Sequence, residues 1–327
     1  MSDFCVLHGI PIVFHSSSAR LDGLFQSMFA PWVGQTHTAA RSALPCYLKL
    51  AETEVLPAPP AGEPLVYRPG VLAYYLRNGK FVAHFPGRAQ LWVDPNKLKV
   101  TGWLATDRLE LEGYALFEDM VTVGLAPLLR RRGLFMLHAF AAVWRGQAVL
   151  LVGSIGSGKT TSGISLLRVG WRLLANDTPL VSDRDGVLQV YAYPGLLSVH
   201  PNVLHRFPEL HQFLADASAG RHTRKPTFSA ETVYPGIWAG TAPLKLLCFL
   251  EIVPGLATCG LLPMRTGTAF RELLPHSLEM WDRDTVPASL ELLTKVAETV
   301  PAYRLCLGES VDTLSSLLQS RLANPTE

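Results

Sequence analysis

Ala148-Val149-Leu150-Leu151-Val152-Gly153-Ser154-Ile155-Gly156-Ser157-Gly158-Lys159-Thr160 is the stretch on which the reading of this chain turns. Residues 148–152 are wholly apolar and do not alternate, the pattern of a strand covered on both faces. Residues 153–160 fit G-x-x-x-x-G-K-[ST], and an apolar strand before them and a helical pattern after them supply the right context. Glycines let the backbone curl until several N–H groups point inward at phosphate oxygens, and the helix N-terminus adds positive potential. Lys159 is then placed to reach the β- and γ-phosphates and Thr160 to set its hydroxyl on Mg²⁺. A purely structural turn has no use for Lys-Thr at this spacing. Gly153, Ser154, Ile155, Gly156, Ser157, Gly158, Lys159, Thr160 and Thr161 are therefore the candidate nucleotide-binding residues.

Outward from that loop the rhythm is strand, turn, helix, strand. Leu134 to Val143 reads as a strand, Arg145-Gly146 as a turn, Lys159 to Val169 as a helix closed by Gly170, and Arg172 to Ala175 as another buried strand. Asp185-Gly186 turns the chain between Leu180-Val181 and Val187 to Tyr191. Further on, helical spacing is expected near Val203–Ala217, Ala269–Met280, Ala288–Val300 and Val311–Leu322, and strands at Leu246–Glu251 and Tyr303–Leu307. The strand Arg172–Ala175 runs into Asn176-Asp177. In an open α/β sheet the ligand crevice lies outside the carboxyl ends of the strands, so Asp177 is expected to face the same space as the loop. A Mg²⁺–nucleotide site needs such a carboxylate, to hold the metal or to accept a proton. The plainer alternative is that Asp177 caps a turn with Thr178-Pro179.

Upstream of residue 134 the chain reads differently. The first sixty or so residues are weakly patterned and end in Pro57-Ala58-Pro59-Pro60-Ala61-Gly62-Glu63-Pro64, which can be neither helix nor central strand. Val71–Leu76 and Lys80–Phe85 flank Asn78-Gly79, a pair suited to a type I′ hairpin turn, and Ala89–Val93 and Lys97–Val100 read as further strands. A helical run from Leu116 ends in Arg130-Arg131-Arg132, which fits compensation of the helix dipole better than a phosphate site. The expected organisation is a β-rich domain over residues 1–133 and an α/β domain over 134–327.

Composition limits the alternatives. Of 327 residues, 48% are hydrophobic and 17% charged, enough apolar matter for a sizeable core. A net charge of +2 gives no electrostatic argument for nucleic acid or an anionic membrane surface. The five cysteines (Cys5, Cys46, Cys248, Cys259, Cys306) are scattered and form no CxxC, so reduced thiols in a cytosol are expected rather than a disulfide framework or a zinc site. The start Met1-Ser2-Asp3-Phe4 lacks the positive region of a signal peptide. Leu246–Met264 is interrupted by Glu251, Pro254, Gly255, Gly260 and Pro263, and reads as two buried strands rather than a spanning helix. A cytoplasmic protein is expected.

The combination of Leu137-His138-Ala139, Gly153 to Thr160, Gly170-Trp171-Arg172-Leu173 and Ala175-Asn176-Asp177 resembles the kinase domain of the HPr kinase/phosphorylase family over about Leu134 to Leu197. The later Val300-Pro301-Ala302-Tyr303-Arg304-Leu305 looks like the HPr-kinase-like proteins of bacterial gene clusters, some of which phosphorylate ribosomally made peptides such as lasso-peptide precursors. The resemblance implies an HPr-kinase-like P-loop fold using ATP and Mg²⁺. In it Lys159 and Thr160 bind phosphate and metal, Asp177 is a catalytic or metal-linked carboxylate, and His138 is the family's histidine near the phosphates. Read alone, His138 is more often a satisfied sheet histidine. Asn176 stands where the family has a first Asp; an amide can coordinate Mg²⁺ or orient a water but cannot act as a base. Tyr193–His200 shows nothing like the family's Glu-x-Arg-Gly stretch, so HPr is not the expected acceptor and the reverse, phosphorylase reaction has no support.

Arg224 and Lys225, in the basic run Arg221–Lys225, are candidates for contact with the γ-phosphate or an acceptor, against the usual reading of a solvated charge run. Asn176 is a third such candidate. His200, His205 and His211 lack the spacing that places two imidazoles on one helical face. The expected activity is transfer of the γ-phosphoryl group of ATP to a hydroxyl of a peptide, a protein or a small molecule. The alternatives are a nucleotide-binding sensor or scaffold, or an ATPase without an acceptor. Neither nucleic acid nor membrane is an expected partner, and a homo-oligomer stays open.

Overall fold

The computed structural model describes residues 2–32, 43–68, 70–213, 226–277, 279 and 281–324, with the side chains of Ser2 and Asn202 left aside. They form two compact units, Met1–Gly133 with Met280–Thr285, and Leu134–Glu279 with Val286–Glu327.

The first unit is an eight-stranded sheet in the order β1-β2-β3-β8-β7-β6-β5-β4. The strands are β1 (Ser2–Leu7), β2 (Ile10–Ser16), β3 (Cys46–Thr53), β4 (Val66–Arg68), β5 (Leu72–Arg77), β6 (Lys80–Phe85), β7 (Ala89–Asp94) and β8 (Lys99–Ala105). The hairpin at Asn78-Gly79 has φ of 50° and 73°, the positive pair that a type I′ turn demands. Helix α1 (Ala19–Met28) makes the crossover between the parallel strands β2 and β3, and its Phe25 stacks on Phe14 at 4.5 Å between centroids. The weak patterning before residue 60 nonetheless folds into regular elements: β1, β2, α1 and β3 occupy much of it. Ile10-Pro11-Ile12-Val13-Phe14 is largely covered and so carries no alternation to read.

Two further helices follow, α2 (Thr106–Glu112) and α3 (Tyr114–Arg130). The three arginines closing α3 are spent inside this unit. Arg130 gives Asp282 two hydrogen bonds, Arg131 gives it two more at 2.9 and 3.0 Å, and Arg132 donates to the Leu44 carbonyl. Trp281 stacks on Tyr74 at 4.4 Å. The segment that supplies Trp281 and Asp282 enters the first unit from the midst of the second, which no local pattern announces.

In the second unit the sheet runs β12-β10-β11-β17-β14-β13-β9, with β19 also on β17 and β18 on β19. Its strands are β9 (Phe135–Met136), β10 (Ala139–Trp144), β11 (Gln147–Val152), β12 (Arg172–Ala175), β13 (Leu180–Arg184), β14 (Val187–Tyr191), β17 (Thr241–Ile252), β18 (Gly260–Pro263) and β19 (Ala302–Leu307); β15 (Leu197–Ser198) and β16 (Thr227–Phe228) form a separate pair. The α/β class with a β-rich N-terminal part is what the chain has. Four expected elements differ. The strand expected at Leu134–Val143 is broken at Leu137-His138, whose N–H groups donate outside the sheet, to the Pro179 and His276 carbonyls. The helix expected from Val203 is a short turn, Pro201–Leu204, then a 3₁₀ turn from Pro208, and the remainder lies outside the described residues. The helix expected to reach Met280 spans Thr266–Leu273 and tightens to a 3₁₀ turn at Leu274–His276, where Pro275 has no N–H to continue it. The second of the two strands expected in Leu246–Met264, β18, lies at an edge with Leu262 exposed.

Helix α4 (Lys159–Arg168) packs across β10 and β11 through a core including Phe140, Leu151, Ile164 and Trp171. Gly163 permits that approach, since a Cβ there would lie 2.2 Å from the Phe140 ring.

Candidate functional site

Strand directions assemble the site. β10 runs antiparallel to both β11 and β12, so β11 and β12 point the same way, and β17 and β19 run parallel to β11. The carboxyl ends of four strands and the amino end of β10 therefore share one edge of the sheet. Register fixes neighbours along it, with Ala139 opposite Val152 and Ala141 opposite Ala175. His138 just before β10, Gly153 just after β11 and Asn176-Asp177 just after β12 are brought together by that register alone.

The loop itself curls as its glycines allow. Gly156 and Gly158 have φ of 84° and 95°, and a Cβ on Gly158 would also strike Leu307 at 2.7 Å. The first turn of α4 follows directly, with N–H groups that have no partner within the helix. Ser157 Oγ is buried without a hydrogen-bond partner. Ile155, at the tip, is among the most exposed large apolar side chains described.

Lys159 is only 7% exposed. Its Nζ donates to the carbonyls of Gly153 at 2.7 Å and Ser154 at 3.1 Å, and lies 3.0 Å from His138 Nε2. An ammonium has donors only, so in this contact Nε2 is placed as the acceptor, the tautomer that carries its proton on Nδ1. That nitrogen is 3.3 Å from Asp177 Oδ1. The contacts thus run Lys159, His138, Asp177, from the glycine-rich loop to an exposed carboxylate. The Asp177 backbone is held too, because its carbonyl accepts from Ala139 N–H. Thr160 Oγ1 is 3.4 Å from Asn176 Oδ1, and the Asn176 amide donates to the Leu196 carbonyl at 3.0 Å.

One residue that sequence reasoning missed adjoins this chain of contacts. His276 accepts the His138 N–H on its carbonyl at 2.7 Å and lays its ring nearly parallel to that of His138, with centroids 5.9 Å apart. Burial, then the nearness of His138 and of Lys159, hold the His276 pKa below its ordinary value against an opposing pull from Glu272.

His138, Ile155, Gly156, Gly158, Lys159, Thr160, Thr161, Asn176 and Asp177 all line one cavity of about 870 Å³. Its remaining walls include two groups of residues the sequence reading did not assign, first Ser198, Val199, His200, Val203 and Arg206, and second Ile252–Gly255 with Leu307, Gly308, Glu309 and Val311. The second could have been found from the rule that ligands sit beyond strand carboxyl ends, since those segments follow β17 and β19. His200 lines the cavity, whereas His205 and His211 pair with each other at 6.4 Å. Arg224 and Lys225 lie outside the described residues.

The oxygen donors gathered here, the Thr160 hydroxyl, the Asn176 amide oxygen and the Asp177 carboxylate, are of the hard type that Mg²⁺ takes alongside phosphate oxygens. No helix is long and apolar enough to cross a membrane among the described residues.

No family model matches the chain, and no curated protein matches it significantly. Among solved structures, the HPr(Ser) kinase/phosphatase from Coxiella burnetii is similar over 59% of this chain and 99% of that one, at 9% identity and a TM-score of 0.33.

Proposed function

We propose that this protein is an HPr-kinase-like, ATP-dependent kinase that transfers the γ-phosphoryl group to a hydroxyl of a peptide, a protein or a small molecule other than HPr. The observation that carries the reading is the run of contacts from Lys159 through His138 to Asp177, with a phosphate-binding loop at one end and an open carboxylate at the other. A binding-only loop has no need of a carboxylate oriented by an imidazole at the far end of its lysine.

The chemistry follows from those atoms. Loop N–H groups and the α4 N-terminus hold the phosphates, and Lys159 exchanges its loop carbonyls for β- and γ-oxygens. His138 Nδ1, 3.3 Å from the Asp177 carboxylate, keeps that carboxylate aimed. Asp177 accepts the hydroxyl proton as the acceptor oxygen forms its bond to the γ-phosphorus; the bond from γ-phosphorus to the β,γ-bridging oxygen breaks, and ADP leaves with that electron pair. Thr160, with Asn176 or Asp177, would hold Mg²⁺, which would neutralise phosphate charge. Preorganised donors acting in this way commonly provide the largest share of catalysis.

Asn176 favours a second reading, a nucleotide sensor, because it offers one carboxylate fewer beside the phosphates. The test is transfer of label from γ-labelled ATP to arrayed hydroxyl-bearing peptides and small alcohols. A kinase puts label in an acceptor; a sensor changes conformation with ATP and transfers nothing.

A further inference from the structure

We infer that the cavity wall formed by Ile252, Pro254, Leu307, Gly308 and Val311 is the subsite for the nucleobase, and that it grips either purine by its faces without reading its edge. The inference rests on the nucleotide-binding reading above and adds to it which base the enzyme takes.

Three observations carry it. The first is position. Along the site edge the order is β12, β10, β11, β17, β19, so the loop after β11 has Asp177 two strands away on one side and Gly308 two strands away on the other. Strands lie about 4.8 Å apart, so each arm is roughly 10 Å long. With the γ-phosphate directed toward Asp177, ribose and base must extend toward β17 and β19, inside the same cavity.

The second is chemistry. Ile252 is 56% exposed at the cavity rim although it ends a buried strand, and Pro254 is exposed beside it. Apolar surface kept open against a pocket marks a binding contact.

The third is the state of the backbone around that wall. Val253 N–H donates to the Leu307 carbonyl at 3.0 Å, Leu256 N–H to Val253, Glu309 N–H to Leu256 at 2.8 Å and Ser310 N–H to Ala257. These bonds knit the loops after β17 and β19 together. Gly308 is wedged between them, where a Cβ would lie 2.4 Å from the Leu256 carbonyl oxygen. The wall is thus pre-formed, and the backbone N–H groups of Val253, Leu256, Glu309 and Ser310 are spent on building it. Strong discrimination arises when a site's polar groups are left unpaired by the wrong ligand, and faces alone cannot supply it.

Calorimetric titration of the full chain with Mg-ATP, Mg-GTP and Mg-tripolyphosphate tests this, together with Ile252→Ser, which removes apolar surface without adding charge. ATP and GTP are expected to bind within about threefold of each other and about 10- to 100-fold tighter than tripolyphosphate, as burial of one ring's apolar area implies. Ile252→Ser is expected to narrow the gap between ATP and tripolyphosphate about fivefold. Tripolyphosphate binding as tightly as ATP, or a gap that Ile252→Ser leaves untouched, overturns the base subsite while the phosphate loop stands. A preference of more than about 20-fold for one purine overturns the edge-blind reading. If none of the three ligands binds, the nucleotide reading itself falls.

Discussion

Lys159 Nζ and His138 Nε2 are 3.0 Å apart, and the same ammonium also donates to the Gly153 and Ser154 carbonyls. The lysine thus satisfies carbonyls of its own loop, and on the proposed reading these are the contacts that it would exchange for charged phosphate oxygens.

Removing that charge should weaken binding more than folding. Lys159→Ala is expected to lose about 10²-fold in ATP affinity, from about 1.5–3 kcal/mol for each charge-assisted hydrogen bond. Mg-ATP should raise the melting temperature of the wild type by mass action and leave the variant almost unmoved. Identical melting curves for both proteins at saturating Mg-ATP would rule out the loop as a phosphate site.

The two residues after β12 separate binding from chemistry. Asn176→Asp, which adds a carboxylate beside Thr160, should preserve transfer and move its pH optimum upward, since a like charge raises the pKa of its neighbour. A collapse of transfer in Asn176→Asp at unchanged ATP affinity would contradict this, and would assign the amide a role that a carboxylate cannot fill.

His276 makes a prediction for pH. Burial with His138 and Lys159 close by holds its folded pKa below 6.5, so on acidification the unfolded chain takes up this proton first. Stability should accordingly fall as pH drops through about 6.5 and stop falling, for this residue, once pH passes below the folded pKa. His276→Phe should flatten the fall in urea midpoint between pH 8 and pH 5. The same slope in both proteins would show that another group controls it.

Asp282 is fully buried and receives four hydrogen bonds from Arg130 and Arg131. Burial alone would raise its pKa, but the two guanidinium groups outweigh that and hold the carboxyl below its usual range. Its stabilisation is then present above the ordinary carboxylate pKa and is lost only when pH falls through the lower, folded value. Asp282→Ala leaves Arg130 buried and uncompensated, which typically costs about 3–5 kcal/mol. Hydrogen exchange in β5 and β6, which carry Tyr74 and Phe81 beneath Trp281, should quicken by a corresponding factor. Unchanged protection in those strands would refute the structural weight given to this carboxylate.

How much of this was legible beforehand follows from how local each signal is. The loop at Gly153–Thr160 could be read because backbone curling and phosphate charge impose their residue types on adjacent positions. Asp177 was legible by place, at the end of a strand that begins just after the loop helix, and β11, β12, β13 and β14 fell close to where apolar runs and turn pairs put them. His138 could be located but not oriented, since its partners depend on the break between β9 and β10, and the apolar residues across that break look continuous. His276 had no signal: it reaches the site from the end of a distant helix. Trp281 and Asp282 were equally silent, because what they do is set by Tyr74 and by Arg130 and Arg131, far away in the chain.

The central claim is that Asp177 takes the proton from a hydroxyl acceptor at a nucleotide-loaded loop. The most direct measurement is the rate of label transfer from γ-labelled ATP to an array of hydroxyl-bearing peptides and small alcohols, for the wild type and Asp177→Asn, with ATP affinity measured in parallel. The account predicts a labelled acceptor with the wild type, and a loss of about 10²–10⁴-fold in Asp177→Asn at nearly unchanged ATP affinity. Transfer by Asp177→Asn at the wild-type rate, or label from the wild type appearing only as free phosphate, would contradict it.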